Sequence, residues 1–240
     1  MRPFYRKDLF RDEIIKIMPK ELTVKIEQGN KKLSILKMEK GQSMVLNSNE
    51  YEVGVVFLSG TATVTAGEFK AEDKGSRKDP FSGQPTAIYI PRNTEYTITA
   101  TGYGLLEIAL CMAKTDKDSQ PFIIEDAEIT RSSKGVFTWK REVNEILTKE
   151  NAKHTCGLEI GEIFGCPGVW ATYPYQEDNK ETVYLFKFSP NPGKRVQVMR
   201  DASDEQLYYV GHDEVIVLDQ AYLPMSDIED SKVYCLWFKC

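Results

Sequence analysis

Gly168-Val-Trp-Ala-Thr-Tyr-Pro-Tyr-Gln-Glu-Asp-Asn179, continued by Glu181-Thr-Val-Tyr-Leu-Phe-Lys-Phe188, reads as a strand, a polar corner and a second strand. Residues 169–175 are rich in the β-branched and aromatic types that suit a pleated, half-buried surface. Residues 176–179 are all polar and end that run. In the second segment the side chains alternate between two faces. If Thr182 points to an interior, so do Tyr184, Phe186 and Phe188, while Glu181, Val183, Leu185 and Lys187 point away. Lys187 is therefore expected at a surface or an interface. Both faces are largely apolar, which suits a sheet paired with a second copy.

The same period of two recurs on both sides of this stretch. Upstream, Thr23-Val-Lys-Ile-Glu and Lys32-Leu-Ser-Ile-Leu-Lys-Met38 alternate, and Val53–Leu58 is an apolar run that Ser59-Gly60 ends. Thr61–Thr65, Thr86–Ile90, Glu95–Ala100 and Leu105–Met112 complete a first set of strands. Residues 68–85 read as a polar loop. A second set covers 155–164, 169–175, 182–188, 195–199, 205–210, 214–218 and 233–238. Short strands with glycine-bearing turns at this spacing predict an antiparallel sandwich or barrel. The halves share an order of features, with no repeat at the level of residues. The expected organisation is an N-terminal arm at 1–21, with 11–18 as one short helix or part of the arm, and a barrel at 22–113. A linker and connecting segment follows at 114–154, with a helical turn or loop near 143–148, and then a second barrel at 155–240.

The bulk properties exclude several classes of function. The chain has 240 residues, 41% hydrophobic and 28% charged, with a formal net charge of −5. That is the balance of a globular protein, and it lacks the basic face that nucleic acid demands. No run approaches the roughly 20 apolar residues of a spanning helix. Met1–Asp8 carries charge with no hydrophobic region after it, so no signal peptide and no membrane partner are expected. The five cysteines (111, 156, 166, 235, 240) form no CxxC pair. Reduced thiols in a cytoplasmic protein are the expectation, with a Cys156–Cys166 bridge as the weaker alternative.

Several segments carry a resemblance. They are Leu58–Gly67, Ala87–Ala100, Ile108–Cys111, Gly168–Pro174, Val183–Lys187, Asp204-Glu205 and Asp213–Pro224. In this order and spacing the chain resembles the two-domain cupins that include 5-deoxyglucuronate isomerase of inositol catabolism and, more distantly, 5-keto-4-deoxyuronate isomerase of pectin breakdown. The similarity spans about Leu33 to Lys239. It implies an all-β bicupin of two antiparallel, jelly-roll-like barrels. It also implies a divalent metal held in the second barrel by His-x-His, a Glu and a later His. Carried over by position, these ligands fall on Gln176, Asp178, Thr182 and Leu223. All four are changed, and the two histidines of the chain, His154 and His212, stand elsewhere.

These replacements alter the chemistry expected of the site. Isomerising an aldose requires moving a hydrogen between neighbouring carbons while an oxyanion is stabilised, and a bound metal does this as a Lewis acid. Gln176, Asp178 and Thr182 offer oxygen with one charge among them, and Leu223 offers no donor; affinity for hard cations grows with the number of charged oxygens. No cofactor and no metal are therefore expected. A metal-free route would need a base, Asp178 or Glu181, and an electrophile such as Lys187, Arg195 or Tyr173. The plainer reading of Asp178, and the favoured one, is a solvated loop carboxylate at the barrel mouth. Trp170, Tyr173, Tyr184 and Tyr222 are candidate pocket residues, against the plainer role of filling a small barrel. The first half has no histidine and is expected to be structural. Two readings stay open: a sugar-acid or cyclitol-related binding protein with a degenerate metal site, and an active uronate isomerase with a rebuilt site. A homo-oligomer, most simply a dimer, is expected for either.

Overall fold

The computed structural model describes residues 20–149, 155–168, 180–191, 193–200, 205–218, 225–228 and 231–240. The expected arm at 1–21 lies outside them but for its last two residues, as do the strand expected at 169–175 and His154. Among the described residues the regular structure is nineteen strands and short 3-10 turns, with antiparallel pairing throughout. No helix among them is long and apolar enough to cross a membrane.

The chain forms two units. The first comprises Met1–Glu128 with Lys149–Leu158, and the second Ile129–Thr148 with Glu159–Cys240. In the first unit, β1 (Glu21–Gln28), β2 (Lys31–Met38), β4 (Tyr51–Ser59), β7 (Ala87–Ile90), β9 (Leu106–Lys114) and β10 (Phe122–Ile124) make a six-stranded sheet in the order β1-β2-β9-β4-β7-β10. A four-stranded sheet, β3-β8-β5-β6, is built from β3 (Ser43–Asn47), β5 (Ala62–Ala66), β6 (Phe69–Lys74) and β8 (Glu95–Ala100). Alternate residues of these strands, among them Leu36, Val55, Phe57, Val64, Ile98 and Ile108, interlock as one apolar core. The turn after β4 depends on Gly60. Its φ is +83°, and a Cβ there would stand 2.9 Å from the Leu106 Cα.

In the second unit, β11 (Thr130–Lys134), β12 (Arg141–Leu147), β13 (Glu159–Gly165), β14 (Thr182–Ser189), β17 (Val215–Leu218) and β19 (Lys232–Lys239) form a sheet in the order β11-β12-β13-β19-β14-β17. Facing strands β15 (Lys194–Arg200), β16 (Glu205–Gly211) and β18 (Met225–Ile228) form the sheet β16-β15-β18. Val143, Ile163, Phe186, Phe188, Cys235 and Ile216 belong to its core, with Tyr184 and Trp237 packed against it. This is the two-domain jelly-roll architecture expected of the sequence.

Three local expectations are corrected. Residues 69–74, read as loop, are β6, because the turn at Gly67 (φ +60°) folds the chain back on β5. Residues 141–147 are strand β12 rather than a helical turn, paired with β11 on one side and β13 on the other. At the start of the strand the buried Arg141 and Val143 alternate with the exposed Glu142, and a bulge between Glu145 and Leu147 then brings Ile146 and Leu147 both into burial. Lys187 points away from the core as alternation requires, yet it is 4% exposed and pairs with Asp213 at 2.6 Å. All five cysteines are free thiols.

Candidate functional site

Register fixes what surrounds Thr182. It is the first residue of β14, buried, and opposed by Leu218 of β17 on one side and Lys239 of β19 on the other. Its hydroxyl donates to the Lys180 carbonyl at 3.1 Å. One step further along, Tyr184 lies between Ile216 and Trp237; beyond it Phe186 is opposite Cys235 and Phe188 opposite Val233. Thr182, Tyr184, Phe186 and Phe188 thus share the inner face. Phe186 and Phe188 are fully enclosed and fill the barrel, whereas Tyr184 is half-buried.

The level of Thr182 carries charge. Lys239 stands opposite Glu159 of β13 as well as Thr182. Glu159 accepts a hydrogen bond from the Lys180 ammonium at 3.1 Å, and the Lys239 ammonium lies 3.9 Å from its other oxygen. The two residues in the longer pair keep 20% and 16% side-chain exposure. Lys239 Nζ is also 5.6 Å from the centroid of the Trp237 ring, near the outer reach of a cation–π contact. Trp237 occupies its position because Gly161 opposite it has no side chain. A Cβ at Gly161 would fall 2.4 Å from the indole Cζ2 and 2.8 Å from the Asn144 carbonyl. Two ammonium groups, a carboxylate, a hydroxyl and two half-buried aromatic rings therefore share one end of the inner face.

The opposite face of the same sheet is also buried and polar in places. Glu162 accepts from the Tyr234 hydroxyl at 2.9 Å and from Asn144 Nδ2 at 3.0 Å. His212 Nδ1 accepts the Phe188 N–H at 3.0 Å, so this histidine holds a turn. The first unit has a comparable device. Glu52 is 1% exposed and accepts from the Tyr89 hydroxyl at 2.9 Å and from the Cys156 and Leu158 N–H groups at 2.9 and 3.0 Å. These bonds fasten residues 156–158 to the first unit. Burial pushes the Glu52 carboxyl above the ordinary carboxylate range despite the donors, which act in the other direction.

Of the residues singled out by sequence, Gln176, Asp178, Leu223, Trp170, Tyr173 and Tyr222 lie outside the described residues, as does the Arg195 side chain. Thr182 and Tyr184 are brought together on the inner face. Glu159, Lys180, Trp237 and Lys239 were not identified by sequence. The alternation in Val233–Lys239 places Trp237 and Lys239 on one face, but only the register joins that face to Thr182. Among the described residues no three His, Cys, Asp or Glu side chains converge as a metal site.

Comparison with known proteins is consistent over nearly the whole chain. The model of the KduI/IolB family matches residues 10–239. The 5-deoxy-glucuronate isomerase of Shouchella clausii is 29% identical over 189 residues, 73% of this chain and 68% of that protein. The Bacillus subtilis (strain 168) protein of the same name is 26% identical over 204 residues, 80% of this chain and 74% of the relative. Among solved structures, an IolB-like protein from Salmonella typhimurium superposes with a TM-score of 0.81 at 24% identity, covering 91% of each chain. A Bacillus subtilis oxalate decarboxylase mutant gives 0.64 at 12% identity, over 88% of this chain and 68% of that one.

Proposed function

Because the chain belongs to the KduI/IolB family, we propose that its second barrel binds an acidic sugar, a uronate or a cyclitol-derived acid, and carries out no metal-dependent isomerisation. The observation that supports this most directly is the surrounding of Thr182. The resemblance puts a carboxylate ligand of a divalent metal at this position. Here the residue is a hydroxyl with an ammonium-bearing side chain, Lys239, as its cross-strand neighbour, and a second, Lys180, whose carbonyl it binds. A divalent cation at this level would meet two ammonium groups that share one carboxylate, Glu159. Of the other three ligand positions only Asp178 is charged. The residues do not fit the metal.

The same residues suit an anion on a sugar ring. An ammonium recognises a carboxylate as a point charge, and the faces of Trp237 and Tyr184 offer flat apolar surface for the C–H side of the ring. Glu159 holds Lys180 and Lys239 in place and accepts hydroxyl donors. The names of the relatives supply the second reading, an aldose–ketose isomerase acting on 5-deoxyglucuronate with this chain's own groups as base and electrophile.

Two measurements on untagged protein purified without chelator test the proposal. Elemental analysis should find well below one equivalent of divalent metal per chain. Glucuronate and 5-deoxyglucuronate should raise the melting temperature with no ketose formed. One equivalent of metal, or turnover of 5-deoxyglucuronate that chelator abolishes, would refute the non-metal reading. Turnover that survives chelation would establish the second reading.

A further inference from the structure

Away from Thr182, at the other end of the same inner face, lies a charged group with no partner among the described residues. Arg141 is the first residue of β12. Its cross-strand neighbour is Gly165, which is opposite Val233, which in turn is opposite Phe188. Phe188 and Thr182 are six residues apart on β14, so the two levels differ by about 20 Å along the strands. Alternation puts Arg141 on the face of Val143, a member of the barrel core. The residue is 8% exposed, and Nη1 has no hydrogen-bond partner. Burial lowers its pKa, and among the described residues no neighbouring charge compensates.

A second orphan lies beside it. Ser132 of β11 is opposite Val143, and Lys134 is opposite Arg141, so Ser132 and Arg141 are diagonal neighbours on one face. Diagonal pairs are within reach of long side chains. The Ser132 hydroxyl is buried and also lacks a partner among the described residues. The charges next to this pair are Lys134 and Glu145, which bind one another at 2.9 Å. Arg77 of the first unit shows the contrast: its Nη1 is also buried and unsatisfied, but its Nε donates to the Phe57 carbonyl at 2.7 Å, so the guanidinium is anchored and holds a turn. Arg141 has no corresponding bond.

An uncompensated buried charge is strongly destabilising, and a buried donor left unpaired adds to that penalty. A guanidinium fork beside a free hydroxyl is complementary to an oxyanion, with the two donors on different oxygens. We propose that Arg141 and Ser132 form an oxyanion-binding site, distinct from the level of Thr182, that takes a carboxylate or phosphate group of a small molecule.

The test uses the full chain at constant ionic strength, with acetate and inorganic phosphate as separate probes followed by thermal melting and calorimetric titration. The wild type should be stabilised by at least one of them. Response to acetate alone assigns a carboxylate, and response to phosphate alone a phosphate ester. Arg141→Gln and Arg141→Met should weaken that binding about tenfold or more, the scale of a hydrogen bond to a charged group. Ser132→Ala should weaken it severalfold and serves as the variant that leaves the charge in place. Without anion, Arg141→Met should melt no lower than the wild type, because it removes an unpaired charge. The proposal is overturned if neither anion stabilises the wild type, if Ser132→Ala and the Arg141 variants respond as the wild type does, or if Arg141→Met is strongly destabilised without anion.

Discussion

In the first barrel the inner faces of two sheets meet in an apolar cluster that includes Leu36, Phe57, Val64 and Ile108, each fully enclosed. In the second, Phe186, Phe188 and Cys235 are enclosed in the same manner, but the pattern changes toward the start of β14. Tyr184 and Trp237 are half-buried there, and Thr182, Lys239 and Glu159 replace apolar residues. The difference teaches that one architecture can have a wholly apolar interior or one edged with charge, according to what occupies a single level of its inner face. Strands stay paired in both cases, because backbone hydrogen bonds do not depend on which side chains point inward. What changes is whether the side chains fill the space or leave polar tips at its edge.

The largest effect that bears on this contrast is cavity creation. Phe57→Ala and Phe186→Ala should each cost about 3–5 kcal/mol, as enclosed aromatic residues do. A urea midpoint for Phe186→Ala far closer to wild type than that for Phe57→Ala would mean the second interior is already open at that level. Next in size is Gly161→Ala. The added methyl meets the Trp237 indole, and overpacking of this kind costs about 1–3 kcal/mol. It should also weaken uronate binding by displacing the ring, so unchanged binding and stability together would contradict the position of Trp237.

Lys239→Met should separate function from stability. The Lys239–Glu159 pair is partly exposed and long, so its loss should change stability by less than about 1 kcal/mol. The melting response to glucuronate should nonetheless fall about tenfold in apparent affinity, as when a charged contact is lost. A full response in this variant would remove the Thr182 level from the proposed site.

The smallest effect tests the buried carboxylate of the first unit. Burial raises the Glu52 pKa above 4.5, so the native state keeps its proton to higher pH than the unfolded chain. Its contribution is then fully present below the unfolded pKa and is lost as pH rises through the native value. The stability of wild type relative to Glu52→Gln should therefore decline as pH rises above the ordinary carboxylate range in urea titrations. A rising difference would mean that the three hydrogen bonds from Tyr89, Cys156 and Leu158 outweigh desolvation.

Much of the fold was legible because period-two alternation marks a strand wherever one side meets a core. It failed at β6 and β12. Phe69-Lys-Ala-Glu-Asp-Lys and Arg141-Glu-Val-Asn-Glu carry so few apolar residues that their pairing partners, rather than their composition, make them strands. Lys187 shows the complementary failure. Alternation gave its direction correctly, but burial on the far side of a sheet depends on what covers it. The candidate site was half legible. Thr182 and Tyr184 could be placed on one face from β14 alone, whereas Glu159 and Lys239 are 80 residues apart in the chain and meet through register.

By itself the sequence determined the two-barrel, all-β architecture and the family, since residue type and order along the chain carry that information. The tertiary structure alone decided that Lys239 stands opposite Thr182, that Trp237 lies over Gly161, and that Arg141 and the Ser132 hydroxyl are diagonal neighbours without partners among the described residues. The physical reason is that a strand's inner and outer directions are local properties, while the neighbour across a sheet is set by registers between segments distant in sequence, and one residue of slip would exchange every such pair.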